Sequence, residues 1–239
     1  MKNINWSELG FGYFKTDYNV RCEYKDGKWG ELYATEDVNM NIHMASTCLH
    51  YGQEVFEGLK AFRGADGKVR LFRVEENAKR MINSGEYLKM AVPSVELFTK
   101  ACIEAVKLNA DYIPPYGSGA SLYLRPMLIG VGPQVGVKPS ADYLFAVFVT
   151  PVGPYYKDGF NCIKVIIDYD HDRAAPKGTG HVKVGGNYAA SLDSGEIAHQ
   201  KGFASVIFLD PATKQYIDEC SAANFFGIRD GKYITPDSH

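Results

Sequence analysis

The sequence predicts a mixed α/β protein of the α+β kind that is divided into two domains. Strand signals flank Asp-Gly turns in the first half, two helical repeats of apolar residues follow, and the second half has the order strand, loop, helix, strand. A chain of 239 residues can hold two ordinary domains. Because residues 151–159 are rich in proline and glycine, we predict an N-terminal domain over 1–150, a linker over 151–159 and a C-terminal domain over 160–239.

The composition is that of a globular protein with small-molecule partners. Hydrophobic residues make up 46% of the chain and charged residues 23%, which excludes disordered, collagen-like and coiled-coil classes. The net charge is −2, from 26 basic and 28 acidic residues, and the basic residues are dispersed. This pattern does not indicate a nucleic-acid or membrane partner.

Cysteine usage and the N-terminus predict a cytoplasmic protein. The five cysteines are far apart and form no CxxC pair, as expected of reduced thiols. No apolar run is long enough to span a bilayer, and residues 1–6 lack the apolar core of a signal peptide. The six histidines show no metal-ligand spacing, so we predict no metal site.

The first half reads as β-structure followed by two helices. Two strands within 18–34 flank Asp26-Gly27, and Leu59–Arg63 pairs with Val69–Arg73 across a second Asp-Gly turn. Segment 51–58, with two glycines and two aromatic residues, lines either a pocket or the core. Apolar residues at helical spacing predict helices over 75–90 and from Ser94, which caps the second.

Two longer strands complete the first half. Residues 121–129 alternate as a strand, which places Tyr123 and Arg125 on one face. Residues 143–149 are continuously apolar and aromatic, which predicts a strand buried on both faces.

The second half is predicted to begin with a strand over 162–167 and a polar loop over 168–179. Asn187 is predicted to cap a helix that runs to about Lys201 and stops at Gly202. Strands follow over 204–209 and 216–220, and Asn224–Ile228 is expected to pair with Lys232–Thr235 across Asp230-Gly231.

Lys183 has an unusual setting, between two valines and directly before two glycines. In an extended segment, Val182 and Val184 face away from the lysine, and the glycines permit close approach of a bound group. A desolvated lysine favours its neutral amine, which can form a Schiff base with an aldehyde. The alternative is an ordinary solvated turn lysine.

Five separated blocks occur in one order: Val55–Phe62, Val69–Arg73, Ser121–Gly130, Lys183–Tyr188, and Glu219 with Asn224–Phe226. Together they resemble the branched-chain amino-acid aminotransferases, which are pyridoxal-phosphate enzymes of fold type IV. The YxRP and KxGGNY blocks favour this group over D-amino-acid aminotransferases and aminodeoxychorismate lyases, which share the fold. The resemblance implies two mixed α/β domains with the cofactor between them.

The resemblance also implies roles for particular residues. Lys183 would be the catalytic base that binds the cofactor aldehyde, and Glu219 would face the pyridine nitrogen. Arg80 would bind the phosphate, Tyr188 would lie by the ring oxygen, and Arg173 would lie near the cofactor. The residues implied for the substrate pocket are Tyr51, Phe56, Tyr123, Tyr155 and Arg125. Without the resemblance, the aromatic residues would be core residues, Arg80 a solvated helix residue and Glu219 an ordinary charge near a turn.

The chain departs from the family pattern at two places. Ser221-Ala222 stands where the family commonly has Gly-Thr, and the chain ends at His239, before the family's C-terminal half-domain. The second domain is therefore expected to be incomplete. That missing part normally supplies a helix N-terminus for the phosphate.

The resulting hypothesis is transamination between L-leucine, L-isoleucine or L-valine and 2-oxoglutarate. A homodimer is implied, with a loop near residues 128–135 contributing to the neighbouring site. The alternatives are another fold-type-IV chemistry, such as D-amino-acid transamination or lyase action, and a cofactor-free binding protein on the same fold.

Overall fold

A computed structural model describes residues 2–155, 161–173, 177–221 and 223–237. The chain divides into two compact units, Met1–Gly159 and Phe160–His239. The finer division into 1–150, 151–159 and 160–239 stays a prediction, because residues 156–159 of the predicted linker lie outside the described ranges.

The first unit is built on an eight-stranded antiparallel sheet. Its main path has the order β2-β1-β8-β7-β5-β6, while β3 pairs with β1 and β4 pairs with β7. Three helices accompany it: α1 (Thr47–Tyr51), α2 (Val74–Tyr87) and α3 (Val95–Leu108). The strands are β1 (Asn19–Lys25), β2 (Lys28–Trp29), β3 (Tyr33–Thr35), β4 (Glu54–Phe56), β5 (Leu59–Arg63), β6 (Val69–Leu71), β7 (Ser121–Gly130) and β8 (Tyr143–Val152).

Both predicted hairpins are confirmed. Lys25 pairs with Lys28 across a two-residue turn in which Asp26 and Gly27 have φ values of 51° and 77°. Positive φ at both turn positions explains the Asp-Gly pair, since few other residues adopt it without strain. In the second hairpin, Arg63 pairs with Val69.

Strand β8 is central and buried, as predicted, but it runs past the predicted end at Val149 to Val152. It pairs with β7 along its whole length and with β1 only as far as Val147. Strand β1 therefore does not reach Pro151, and a residue without an N–H group is tolerated there.

Helices α2 and α3 supply the apolar cover of the sheet. Ala78 and Met81 of α2 are fully buried, and Phe98 of α3 stacks on Phe145 of β8 with ring centroids 5.8 Å apart. The predicted Ser94 cap is confirmed, because its hydroxyl accepts a hydrogen bond from the Leu97 N–H at 3.2 Å. Helix α2 ends at Tyr87, short of the predicted Met90.

The second unit contains a three-stranded sheet of order β11-β10-β9, with β9 and β10 parallel and β11 antiparallel. Ala198, Val206 and Phe208 form its buried core. The elements are β9 (Val165–Asp168), α4 (Gly185–Ala189), α5 (Leu192–Gln200), β10 (Ser205–Leu209), β11 (Ile217–Cys220), and a separate hairpin of β12 (Gly227–Arg229) and β13 (Lys232–Ile234).

The prediction of one helix capped by Asn187 is wrong. Two helices, α4 and α5, are separated at Ala190 and Ser191, and Asn187 lies inside α4. Its buried side chain donates hydrogen bonds to the carbonyls of the preceding loop, so it does not cap a helix. Gly202 ends α5 as predicted, with φ 77° and its N–H donated to the His199 carbonyl at 2.9 Å.

Two other predicted strands are shorter than expected. Strand β9 begins at Val165 rather than Cys162, and the last hairpin pairs Gly227–Arg229 with Lys232–Ile234. In the part of the chain that the structure describes, no helix combines the length and apolar character needed to cross a membrane.

Candidate active site

Lys183 lies in the second unit with its side chain turned toward Tyr188. Val182 and Val184 are 5% and 4% exposed, while Lys183 is half-buried, so the predicted alternation is confirmed. The Lys183 Nζ donates a hydrogen bond of 2.5 Å to the Tyr188 hydroxyl and lies 4.8 Å from the ring centroid. An amine and a phenol are thus in direct contact.

Asn187 fixes the loop that carries this lysine. Its Nδ2 donates to the carbonyls of Thr179 at 2.7 Å and Val182 at 2.9 Å, and its Oδ1 accepts from the Thr179 hydroxyl at 2.6 Å. Sequence analysis missed this role, although an asparagine next to the Gly-Gly pair was a visible signal. Three hydrogen bonds from one amide limit the positions open to Lys183.

Arg173 lies next to two other predicted site residues of this unit, Tyr188 and Glu219. It is 7% exposed and donates from Nη1 to the Asn187 carbonyl at 2.6 Å and from Nε to the Ser221 carbonyl at 3.1 Å. Its guanidinium carbon lies 5.0 Å from the Tyr188 ring centroid, and Nε lies 3.7 Å from a Glu219 carboxylate oxygen. The structure therefore brings Lys183, Tyr188, Arg173 and Glu219 together.

Glu219 is a half-buried carboxylate on β11. Burial raises the pKa of this carboxyl above its ordinary value, and the neighbouring Asp218 raises it further. The cations Arg173 and Lys183 lower the pKa but do not cancel the rise. The carboxylate therefore lies where a cationic ligand group would be favoured.

In the first unit, the sheet face opposite the α3 side carries a group of rings and cations. We call the side chains of Phe56, Lys60, Tyr123 and Arg125 the ring face. Arg125 donates from Nε and Nη2 to the Tyr123 hydroxyl at 3.2 and 3.1 Å. Its guanidinium carbon lies 4.8 Å from the Phe56 ring centroid and 5.4 Å from that of Tyr123. Three predicted pocket residues are therefore in contact.

Phe11 joins Tyr155 to this group, which sequence analysis missed. Its ring packs edge-on against Tyr123 at 5.2 Å and against Tyr155 at 5.5 Å between centroids. Phe11 stands between two glycines in a segment without strand or helix periodicity, so no local pattern indicated a role. Gly58 is required here, because a Cβ at that position would overlap the Tyr123 hydroxyl.

Tyr51 lies at the end of α1 and is attached to a loop. Its hydroxyl donates to the Val135 carbonyl in loop 131–142, between β7 and β8. That loop exposes Val135 and Val137 almost fully. Tyr51 is thus held by the loop.

Arg80 on α2 is paired with a carboxylate that sequence analysis did not single out. Its Nε and Nη2 donate to the two oxygens of Glu57 at 2.6 and 2.7 Å, and Asn77 Nδ2 donates to the same carboxylate at 2.8 Å. Glu57 is fully buried, whereas the Arg80 side chain is 55% exposed. The pair is bidentate, which fixes the plane of the guanidinium.

Comparison with known proteins identifies the family. The model of the family described as "Amino-transferase class IV" matches residues 54–239. The chain belongs to this family. The branched-chain-amino-acid aminotransferases of Haemophilus influenzae and Helicobacter pylori are 53% and 51% identical to it, over 100% of this chain and 71% of each of those proteins.

Solved structures of branched-chain aminotransferases share the fold. The Escherichia coli branched-chain amino acid aminotransferase superposes with a TM-score of 0.73 at 28% identity, covering 93% of this chain and 68% of that one. A second branched-chain amino acid aminotransferase, complexed with N-(5'-phosphopyridoxyl)-L-glutamate, has a TM-score of 0.69 at 27% identity, covering 92% and 67%. The predictions of fold type IV and of an aminotransferase are confirmed.

The residues of the second unit fit pyridoxal phosphate, the cofactor that the family implies. They offer an amine for an aldehyde, a hydroxyl beside that amine and a carboxylate for a ring nitrogen. For a metal the described residues offer no group of three histidine, cysteine or acidic side chains. The individual roles of these residues remain predictions.

Proposed function

We propose that the protein is a branched-chain-amino-acid transaminase. It interconverts L-leucine, L-isoleucine or L-valine with their 2-oxo acids and uses 2-oxoglutarate and L-glutamate as the partner pair. The observation that carries this proposal is the Lys183–Tyr188 contact of 2.5 Å, in a chain 53% identical to the Haemophilus influenzae enzyme. The proposed cofactor is pyridoxal 5'-phosphate.

Lys183 is the proposed catalytic residue. Pyridoxal phosphate, when bound, supplies an aldehyde carbon and a ring that accepts an electron pair. When the cofactor is bound, Lys183 would hold its aldehyde carbon through Nζ until the amino group of the substrate takes its place. Once free, the Lys183 amine would take the proton from the substrate Cα and deliver it to the cofactor carbon that had carried the aldehyde. The hydrogen bond to Tyr188 holds Nζ in reach of that proton.

Glu219, Tyr188 and Arg173 set the electrostatics around this amine. Glu219 would keep a ring nitrogen protonated, because a carboxylate favours the charged form of a nearby base. Arg173 orients both partners, since its guanidinium lies against the Tyr188 ring and near the Glu219 carboxylate. Arg173 is buried and donates to the Ser221 and Asn187 carbonyls, which favours this positioning role over direct contact with a ligand.

Arg80 is the proposed phosphate contact. Glu57 and Asn77 would hold its guanidinium in one plane while more than half of the side chain stays exposed. A guanidinium held in this way is suited to a phosphate, because its planar donors match phosphate oxygens.

The ring face is the core of the proposed substrate pocket. A transaminase of this kind must accept an apolar side chain in one half-reaction and a carboxylate in the other. Rings give the apolar walls, and Arg125 on the Phe56 ring gives a cation for the carboxylate. The proposed pocket residues are Tyr51, Phe56, Tyr123, Arg125 and Tyr155.

The proposed assembly is a homodimer in the cytoplasm. Loop 131–142 supports the dimer proposal, because Val135 and Val137 expose most of their apolar surface while Tyr51 anchors the loop backbone. Size-exclusion chromatography with light scattering tests it, and a mass equal to one chain contradicts it.

An assay with a spectroscopic control tests the activity. The purified full-length protein with pyridoxal phosphate should transaminate L-leucine with 2-oxoglutarate, whereas D-alanine should give no product. Borohydride reduction should fix the cofactor mass on the peptide that contains Lys183, and the Lys183→Ala variant should lose both the label and turnover. Activity on D-alanine alone would overturn the substrate class, and a colourless protein that refuses the cofactor would overturn the whole proposal.

A further inference from the structure

Lys60 lies on the ring face directly opposite Tyr123. In the β5–β7 pairing, Lys60 is the register partner of Tyr123, and its neighbours Leu59 and Ala61 are buried while Lys60 is only half-buried. Directly opposed residues of an antiparallel pair project to the same face with Cβ atoms about 5 Å apart. The Lys60 and Tyr123 side chains therefore project from the same face of the sheet.

Arg125 is the diagonal neighbour of Lys60 across the same strand pair. Diagonal neighbours in such a pair are about 7–8 Å apart, within reach of two long side chains. The Tyr123 hydroxyl accepts both hydrogen bonds from Arg125. Two cations and one phenol are thus directed at one region of the sheet.

Neither cation is neutralised by a carboxylate in the described ranges 2–155, 161–173, 177–221 and 223–237. Arg125 donates hydrogen bonds from Nε and Nη2 to the Tyr123 hydroxyl, and within the described ranges its Nη1 has no acceptor. Lys60 likewise has no ion pair within those ranges, unlike Arg80, which is paired with Glu57. Cations that stand unpaired among rings favour an anionic ligand.

We propose that Lys60 is a specificity-determining residue that binds the distal carboxylate of the dicarboxylate substrate together with Arg125. This inference rests on the proposed function and deepens it. The Lys60 ammonium supplies a second positive charge to 2-oxoglutarate and glutamate. Its methylene stem, on the same face as Tyr123, would add apolar surface to that wall when leucine is bound.

Binding of inert substrate analogues to the holoenzyme tests this role. The probes are glutarate, a dicarboxylate without an amino group, and 4-methylpentanoate, which has the shape of leucine. In Lys60→Met, the affinity for glutarate should fall about tenfold relative to 4-methylpentanoate, because one charge contact is lost. The ratio of kcat/KM for glutamate to that for leucine should fall by a similar factor.

Two variants and the salt dependence separate this role from a structural one. Lys60→Arg should restore most of the glutarate affinity, and Lys68→Met should leave the ratio unchanged, because Lys68 carries the same charge in the turn of the same hairpin. Added salt should weaken glutarate binding more in the wild type than in Lys60→Met.

The proposal is overturned if Lys60→Met weakens both probes equally or neither. Failure of the proposed function looks different, since the wild-type holoenzyme would then not transaminate leucine at all. The two failures are therefore distinguishable.

Discussion

The lysine loop of the second unit and the ring face of the first each place an arginine beside a tyrosine, yet the two arginines are held differently. Arg173 is enclosed and donates to two main-chain carbonyls while its guanidinium lies on the Tyr188 ring. Arg125 is half-buried and, among the described residues, donates only to the Tyr123 hydroxyl. The comparison shows that the acceptors around a guanidinium determine whether the arginine positions protein groups or binds a ligand. A buried arginine that donates to two separate main-chain carbonyls positions its neighbours, whereas a half-buried arginine that donates to a single side-chain hydroxyl can meet a ligand.

The largest expected effect is on the free energy of unfolding, when Arg173 and Arg125 are each replaced by lysine. Arg173→Lys should lower the free energy of unfolding by about 2–3 kcal/mol, because a lysine cannot reach the Ser221 and Asn187 carbonyls together and leaves buried acceptors unmet. Arg125→Lys should change it by less than about 0.5 kcal/mol, as expected of a half-exposed site. Urea denaturation of both variants without cofactor measures the difference.

Equal losses at the two sites would break the comparison. A loss confined to Arg125→Lys would reverse it and make Arg125 the structural residue.

A smaller effect is expected when the carboxylate that holds Arg80 is changed. Glu57→Gln should lower the free energy of unfolding by about 1–2 kcal/mol, because the buried side chain keeps its shape but loses a charge-assisted bidentate pair. Its matched control is Glu76→Gln on α2, which breaks an exposed pair with Lys79 of similar length, 2.7 Å. That control should cost less than about 0.5 kcal/mol.

If Glu57→Gln and Glu76→Gln cost the same, Glu57 does not fix Arg80. The comparison of Arg173 with Arg125 would then be narrower: main-chain carbonyls would hold a guanidinium in place, whereas a buried carboxylate would not.

The smallest expected effect is a pH-dependent change in thermal stability caused by replacing Glu219. Its folded pKa is raised above the unfolded value of about 4.3, so ionisation disfavours the folded state at pH values above the folded pKa. Glu219→Gln should therefore raise the melting temperature of the cofactor-free protein slightly at pH 8. The gain should shrink on acidification and become small as the pH falls below about 4, where the carboxyl is mostly protonated in both states.

Thermal scans from pH 4 to 8 measure this difference, and the cofactor must be absent because ligand binding would add its own stabilisation. A gain that grows toward low pH would contradict the assignment of burial as the dominant cause.

Local chemistry explains why much of the fold could be predicted. The Asp26-Gly27 turn needs positive φ, and the Ser94 cap needs a short side-chain oxygen, so each signal lies in a few consecutive residues. The alternation of Tyr123 and Arg125 fixes a shared face in the same way. That Lys183 and Tyr188 belong to one site, by contrast, was expected only from the family resemblance, and their direct contact was not predicted.

The missed features all depend on partners distant in sequence. Glu57 meets Arg80 over 23 positions, and Phe11 meets Tyr123 over more than 100, so no local period marks either. The position of Asn187 inside α4 could not be predicted, because its amide is bonded to the distant carbonyls of Thr179 and Val182 instead of capping a helix. Tertiary hydrogen bonds overrode the helical pattern there.

The amide of Asn187 has one more consequence. In a transaminase cycle the lysine would be released in the first half-reaction and reattached at the end of the second, so the amine must return to the same place in every cycle. Because Asn187 ties Thr179 and Val182 into a closed segment, the entropy of ordering this segment is already lost during folding. With the backbone held by these bonds, we expect Lys183 to return by side-chain rotation, a motion of picoseconds to nanoseconds.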